Sequence, residues 1–216
     1  WIEAQEILRA NDILLIADEV MTGFGRVGSD FASNLYGIEP DILIAGKGMG
    51  GGYAAIGGTY STDKIADSIQ NAGYEVMFHT FAALPQSCAA SAEVLRILRE
   101  EKLCERVNPL GDKILQNLYS EIGQHPNVAE IRGKGLLIGI EIVEDKNSLK
   151  PFDESKKITG QIMQKGLEMG VFLYPGGTGT YRDIICLGPA FTIGDEEIEL
   201  MVKVLRDSIN AVVQYN

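Results

Sequence analysis

The sequence predicts an α/β protein, and three observations carry that prediction. Residues 13–17 (Ile13-Leu14-Leu15-Ile16-Ala17) and 42–45 (Ile42-Leu43-Ile44-Ala45) are continuous apolar runs of the kind found in strands buried on both faces. Stretches around 63–71 and 86–99 have helical character. Strands interleaved with helices in this way make a mostly parallel sheet with covering helices.

Taken in order, a helix over 2–10 leads through Asn11-Asp12 into the first apolar run, and a third, more polar strand is expected at 54–60. After Glu100 the pattern changes. A helix near 103–122 precedes paired strands at 128–132 and 135–143, a helix at 154–169, short strands at 171–173 and 184–187, and a last helix at 195–213. Gly170 after Met169 reads as a helix C-cap. In the last helix Ile198, Met201, Val202, Leu205, Ile209, Val212 and Val213 keep helical spacing, and Thr192 with Asp195 resembles a capping box. The expected division is therefore a first domain over 1–100 and a smaller α/β domain over 101–216.

Composition excludes several classes of function. With 45% hydrophobic residues and 7 prolines in 216 residues, the chain can bury a sizeable core. A formal charge of -11 argues against nucleic acid and against anionic membrane surfaces, leaving a small molecule as the expected partner. No apolar run reaches the roughly 20 residues of a membrane span, and the start lacks the basic and apolar regions of a signal peptide, so a soluble, cytoplasmic protein is expected. Three widely spaced cysteines and two histidines make neither a disulfide framework nor a metal site. The chain opens on Trp1 inside an amphipathic pattern and reads as a fragment or processed product.

The chemistry-bearing residues stand where the two apolar runs end. Ala17-Asp18-Glu19-Val20-Met21-Thr22-Gly23-Phe24-Gly25-Arg26 follows the first, and Gly46-Lys47-Gly48-Met49-Gly50-Gly51-Gly52 follows the second. Open α/β sheets bind ligands at the carboxyl ends of strands. Asp18 ends a run of five apolar residues, so its carboxylate is expected in a buried setting that calls for a cationic partner, with Val20 on the same face. Alone, Asp18 and Glu19 would simply end a strand and cap a turn. Lys47 between glycines changes that reading, because glycine lets the backbone bend and leaves room for a flat ligand.

Gly46-x-Gly48-x-x-Gly51 also satisfies the dinucleotide fingerprint, but the following Tyr53-Ala54-Ala55-Ile56 reads as strand, so the helix that would hold a pyrophosphate is missing. A phosphate-binding Walker loop fails because Gly48, not Ser or Thr, follows Lys47.

In order and spacing, Leu14-Leu15-Ile16-Ala17-Asp18-Glu19-Val20, Gly23-Phe24-Gly25-Arg26 and Lys47-Gly48-Met49-Gly50-Gly51-Gly52-Tyr53 resemble the signature of class III pyridoxal-phosphate-dependent aminotransferases. His79-Thr80-Phe81 with Cys88-Ala89-Ala90 resembles that family's phosphate-binding segment, and 131–139 resembles the start of its small domain. The resemblance implies fold type I, with 1–100 as the end of the large cofactor-binding domain and 101–216 as the small C-terminal domain. It implies pyridoxal 5'-phosphate as cofactor, with Lys47 forming the Schiff base and acting as general base, Asp18 pairing with the pyridinium nitrogen, and Val20 packing on one ring face. Thr80 would bind the cofactor phosphate of a second subunit, making a homodimer with a shared active site, although a helix-capping threonine before Pro85 is the alternative. His79 receives no catalytic role, and Arg26 is read as a structural or surface ion pair.

The substrate carboxylate would be met by Arg182, whose alternative is a loop pair with Asp183. The expected reaction moves an amino group from a primary amine or amino acid to a 2-oxo acid. An aminomutase or decarboxylase would use Lys47 and Asp18 equally, and an inert dimerisation or binding module retaining the fold is the rival of another class. Family members carry about as much chain again before the equivalent of Trp1, including a glycine-rich phosphate loop and a stacking aromatic. These 216 residues alone are therefore expected neither to hold the cofactor tightly nor to turn over.

Overall fold

The computed structural model describes residues 1–75, 79–177 and 183–213. The chain divides into two compact units, Trp1–Glu105 and Arg106–Asn216.

In the first unit, helix α1 (Ile2–Ala10) ends where the Asn11 side chain donates to the Ile7 carbonyl at 2.9 Å. Strand β1 (Ile16–Asp18) then pairs in parallel with β2 (Ile42–Ala45), in a register that sets Ile16 beside Ile42 and Asp18 beside Ile44. Asp41 helps start that pairing, since its carboxylate accepts the Leu15 N–H at 2.8 Å while its own N–H donates to the Leu15 carbonyl at 2.9 Å.

Strand β3 (Gly58–Ser61) departs from the sequence expectation twice, starting later than 54 and running antiparallel to β2. The connection over 46–57 contains one 3-10 turn, Lys47–Gly50, and no crossover helix. A parallel return needs such a crossover, so the chain folds straight back.

The order β1-β2-β3 makes β1 an edge strand of this sheet. Ile13, Leu14 and Ile16 are 53%, 48% and 55% exposed, so the expectation of a first strand buried on both faces does not hold within this chain. An edge strand is hydrogen-bonded on one side only, and the apolar composition of the run is not matched by cover here. Helices α2 (Ala32–Tyr36), α3 (Asp63–Asn71) and α4 (Pro85–Glu100) complete the unit. The five-residue α2 has no counterpart in the sequence reading, and α4 opens with Pro85 in its first turn, where the missing N–H is no loss.

Among the described residues the main cluster of buried apolar side chains lies in the second unit. Helix α5 (Leu103–Ile122), which begins just before the division, is followed by β4 (Val128–Lys134), β5 (Leu137–Ile142), α6 (Ile158–Glu168), β6 (Tyr174–Pro175), β7 (Ile184–Leu187) and α7 (Asp195–Val212). The strands form one sheet in the order β4-β5-β7-β6, and every pairing is antiparallel. Along β5 burial alternates, with Ile138, Ile140 and Ile142 inward. They pack in one cluster with Ile114 and Leu118 of α5, Ile162 of α6 and Ile198, Leu205 and Ile209 of α7. Period two on the strands and period 3.6 on the helices thus meet on a single apolar layer.

Several local features are explained by their hydrogen bonds. Lys134 pairs with Leu137, leaving Gly135-Leu136 as a two-residue hairpin turn whose first member has φ +56°, the region glycine occupies without cost. The stretch 171–173 is not a strand. Val171 N–H donates to the Gly166 carbonyl and Gly170 N–H to that of Leu167, a Schellman ending in which Gly170 has φ +88°. The expected helix over 154–169 is broken at Lys157 into a short 3-10 turn and α6. Helix α7 is capped at Gly194, not at Thr192: the Glu197 carboxylate accepts the Gly194 N–H at 3.0 Å, the half of a capping box that a glycine permits.

Candidate active site

Because β1 and β2 run in parallel and in register, their carboxyl ends open side by side. Asp18 is the last residue of β1, and Lys47 opens the 3-10 turn two residues after β2 ends. Two residues beyond Asp18, Val20 lies against the other loop: a Cβ at Gly46 would stand 3.8 Å from both of its methyl groups. Asp18, Val20 and Lys47 therefore gather at one sheet end.

Asp18 is exposed here, and its Oδ1 accepts the Val20 N–H at 3.0 Å. The expected burial of this carboxylate is corrected. At the end of an edge strand it stays hydrated, so its presence does not by itself demand a cation. Lys47 is likewise exposed, with Nζ 2.9 Å from Met21 Sδ. Its φ is +43°, a left-handed conformation that costs a non-glycine residue about 1–3 kcal/mol and persists where surrounding contacts over-determine it.

Those contacts are visible on two sides. Ser91 of α4, 4% exposed, donates its hydroxyl to the Met49 carbonyl at 2.8 Å, and a Cβ at Gly51 would stand 3.1 Å from the Val94 side chain. On the other side a Cβ at Gly48 would meet that of Phe24 at 3.2 Å. Small residues around Lys47 thus allow neighbouring loops to close on its turn. No α-helix starts within 46–52, so the segment offers no dinucleotide site of the fingerprint type.

Glu19 is the residue the sequence reading underrated. It is 2% exposed, its carboxylate accepts the Ala32 N–H at 2.9 Å and the Ser33 N–H at 2.6 Å, and the Thr22 hydroxyl also donates to it. Ala32 and Ser33 are the first two residues of α2, so a carboxylate 13 residues away serves the orphan amides of a helix that has no cap of its own. Burial pushes the Glu19 carboxyl up, but the hydrogen bonds from Thr22, Ser33 and Ala32 outweigh it and hold the group below its ordinary value. Strand alternation was the available signal: Asp18 and Val20 share a face, and Glu19 must point to the other.

The remaining candidates are Thr80, Arg26 and Arg182. Thr80 is exposed in the turn before α4. It does not cap that helix, whose N-cap residue is Leu84. His79, Phe81, Met49 and Tyr60 line a cleft of about 570 Å³ in this unit. Arg26 is partly buried, and burial lowers its pKa. Arg182 lies outside the described residues. Its suggested partner Asp183 is buried and accepts the Thr159 hydroxyl of α6 at 2.8 Å. Among the described residues no cluster of histidine, cysteine and carboxylate side chains could hold a metal, and no helix is long and apolar enough to cross a membrane.

Comparison with known proteins identifies the family. Residues 2–209 match the family "Aminotransferase class-III". The chain belongs to that family. An uncharacterized aminotransferase, YodT, of Bacillus subtilis is 36% identical over 211 residues, covering 96% of this chain and 48% of its own length. A hypotaurine/taurine–pyruvate aminotransferase of Paracoccus denitrificans is 32% identical over 221 residues, covering 98% and 47%. An amine transaminase from an uncultivated Pseudomonas species, solved in its PLP-bound form, superposes with a TM-score of 0.91 at 33% identity, covering 99% of this chain and 48% of that one. The class III aminotransferase chain described here thus spans about half the length of the relatives it matches, and its fold is that of the pyridoxal-phosphate-dependent transaminases.

Proposed function

We propose that this chain carries the lysine and the ring-nitrogen partner of a pyridoxal-phosphate-dependent amine transfer, from a primary amine or amino acid to a 2-oxo acid. The observation that carries this reading is the gathering of Lys47, Asp18 and Val20 at the carboxyl ends of two parallel strands. The residues suit the cofactor chemically. Lys47 offers a primary amine for its aldehyde, Asp18 an accessible carboxylate for a protonated pyridine nitrogen, and Val20 an apolar surface for one ring face. Two relatives, named as taurine– and putrescine–pyruvate aminotransferases, suggest pyruvate as the 2-oxo acid.

When bound, the cofactor supplies an electron sink for the substrate carbanion. Lys47 would hold it covalently, and its Nζ would move the proton at the amine-bearing carbon of the substrate. Asp18 keeps the ring nitrogen protonated by a charge-assisted hydrogen bond, a contribution of about 1.5–3 kcal/mol. Thr80 serves a second copy of the chain by donating its hydroxyl to the cofactor phosphate, so the working unit is a homodimer. Arg182 takes the substrate carboxylate.

The test is Lys47→Ala in the full-length protein. Turnover and the visible absorbance of covalently bound cofactor are expected to vanish while circular dichroism is unchanged. Amine transfer surviving in that variant overturns the proposal.

A further inference from the structure

Past the end of β1 the surroundings change residue by residue: Asp18 is exposed, Glu19 is 2% exposed, and Val20 is half-buried against Gly46. The backbone and the carboxylate of Glu19 both do structural tasks there. Glu19 N–H donates to the Ile44 carbonyl at 2.8 Å, continuing the β1–β2 pairing one residue past Asp18. Its carbonyl accepts the Gly23 N–H at 2.9 Å and closes the turn that carries Val20 and Met21. Its carboxylate gathers the Thr22 hydroxyl and the amides of Ala32 and Ser33.

These bonds reach the lysine through two glycines. A Cβ on Gly23 would lie 2.8 Å from the Glu19 carbonyl oxygen and 3.1 Å from the Phe31 ring, so the turn closes only because residue 23 has no side chain. The Phe24 that follows has φ +57° and sets its ring edge-on to Phe31 at 5.3 Å. Gly48 sits against this closed turn, 3.2 Å from the Phe24 Cβ and 3.5 Å from the Gly23 carbonyl as measured from its own missing Cβ. The left-handed Lys47 is the residue before Gly48.

We propose that Glu19 is a positioning residue that couples the two halves of the site, fixing Asp18 and Val20 on one strand end and seating the Lys47 turn through Thr22, Gly23 and Phe24. It touches neither cofactor nor substrate. A carboxylate suits the task because one group can accept from a hydroxyl and two amides at once, and it does so at the positive end of a short helix that lacks a local cap. Glutamine keeps the shape but presents an NH₂ on one side, so one of those donors must lose its acceptor.

The inference rests on the proposed role of Lys47, and the experiment separates the two. Full-length protein, freed of cofactor, is mixed with pyridoxal 5'-phosphate, and covalent capture is followed by absorbance and by borohydride reduction with mass analysis of Lys47. The pH at which the bound chromophore titrates is recorded in parallel.

If the wild-type protein takes no label on Lys47, the functional reading fails and the coupling with it. If the wild type labels, Glu19→Gln is expected to slow capture by about tenfold or more and to move the chromophore's titration by half a pH unit or more, with unchanged helix content. Thr22→Val, which removes one donor and keeps the shape, is expected to move both readouts in the same direction by less, and it decides the matter if Glu19→Gln does not fold. Capture rate and titration both at wild-type values in the folded Glu19→Gln protein, or in Thr22→Val where that is the variant that folds, overturn the proposal.

Discussion

Gly111 is where helix propensity and tertiary packing give opposite signs. On a solvated helix, alanine is preferred to glycine by about 1 kcal/mol. Gly111 lies within α5, and a Cβ built on it would stand 2.2 Å from the carbonyl oxygen of Gly135, 2.7 Å from its carbonyl carbon and 3.1 Å from its Cα. Backbone is what it meets, so no rotamer change relieves the contact. The hairpin turn cannot yield easily, since Gly135 itself holds φ +56° between the paired Lys134 and Leu137. Bringing oxygen and methyl to van der Waals distance means parting α5 from the hairpin by roughly 1 Å, and a gap of that size forfeits a quarter to a half of each affected dispersion contact.

The helix carries Val107, Ile114 and Leu118 into the core fully buried, so these contacts are many. Overpacking costs about 1–3 kcal/mol, a clash against rigid backbone belongs at the upper end of about 3, and the propensity gain offsets about 1. Gly111→Ala is therefore expected to destabilise the second unit by about 2 kcal/mol. Gly160→Ala on α6 is the matched comparison, because its Cβ meets nothing within 4 Å, and it should stabilise by up to about 1 kcal/mol. Urea dependence of amide exchange at Ile114 and Ile140 reads the second unit directly. Equal or greater protection in Gly111→Ala, or shifts of the same sign in both variants, would refute the packing argument.

Two further outcomes follow from charge and burial. Acid should loosen the two units in sequence. His125 accepts the Asn127 N–H at Nδ1 (3.1 Å) and, as the Nε2–H tautomer, donates to Asn210 Oδ1 at 3.2 Å; its pKa is lowered, first by burial and also by nearby Lys146, against the bond to Asn210. Its contribution is fully present above about pH 6.5 and declines as pH falls from there toward the lower folded value, whereas the depressed Glu19 contributes fully above about pH 4.5 and is lost only as pH falls through its own lower value. Exchange protection around Asn127 should thus weaken at a higher pH than protection of Ser33, and the reverse order would refute the assignment. Iodoacetamide near neutral pH should modify exposed Cys88 before Cys104 and Cys186, whose partly buried thiols are pushed up chiefly by burial; labelling of either at the Cys88 rate would contradict this.

The sequence by itself determined what depends on local periodicity and on fixed spacing. Helices α1, α3, α5 and α7, the strands β2 and β7 and the Gly170 helix ending follow from apolar period, acid placement and glycine, all of which act within a few residues. The gathering of Asp18, Val20 and Lys47 was legible for the same reason, because strand ends in a parallel pair must adjoin. Tertiary structure alone decided the rest. Whether an apolar run is central or an edge depends on what pairs beside it, and so Ile13, Leu14 and Ile16 are exposed despite their composition. Helix α2 was invisible because its cap is Glu19, 13 residues distant, and Gly111 and Ser91 take their meaning from partners 24 and 42 residues away. Contacts at such separations leave no period in the sequence, since loop closure sets their cost and only the folded chain brings the groups together.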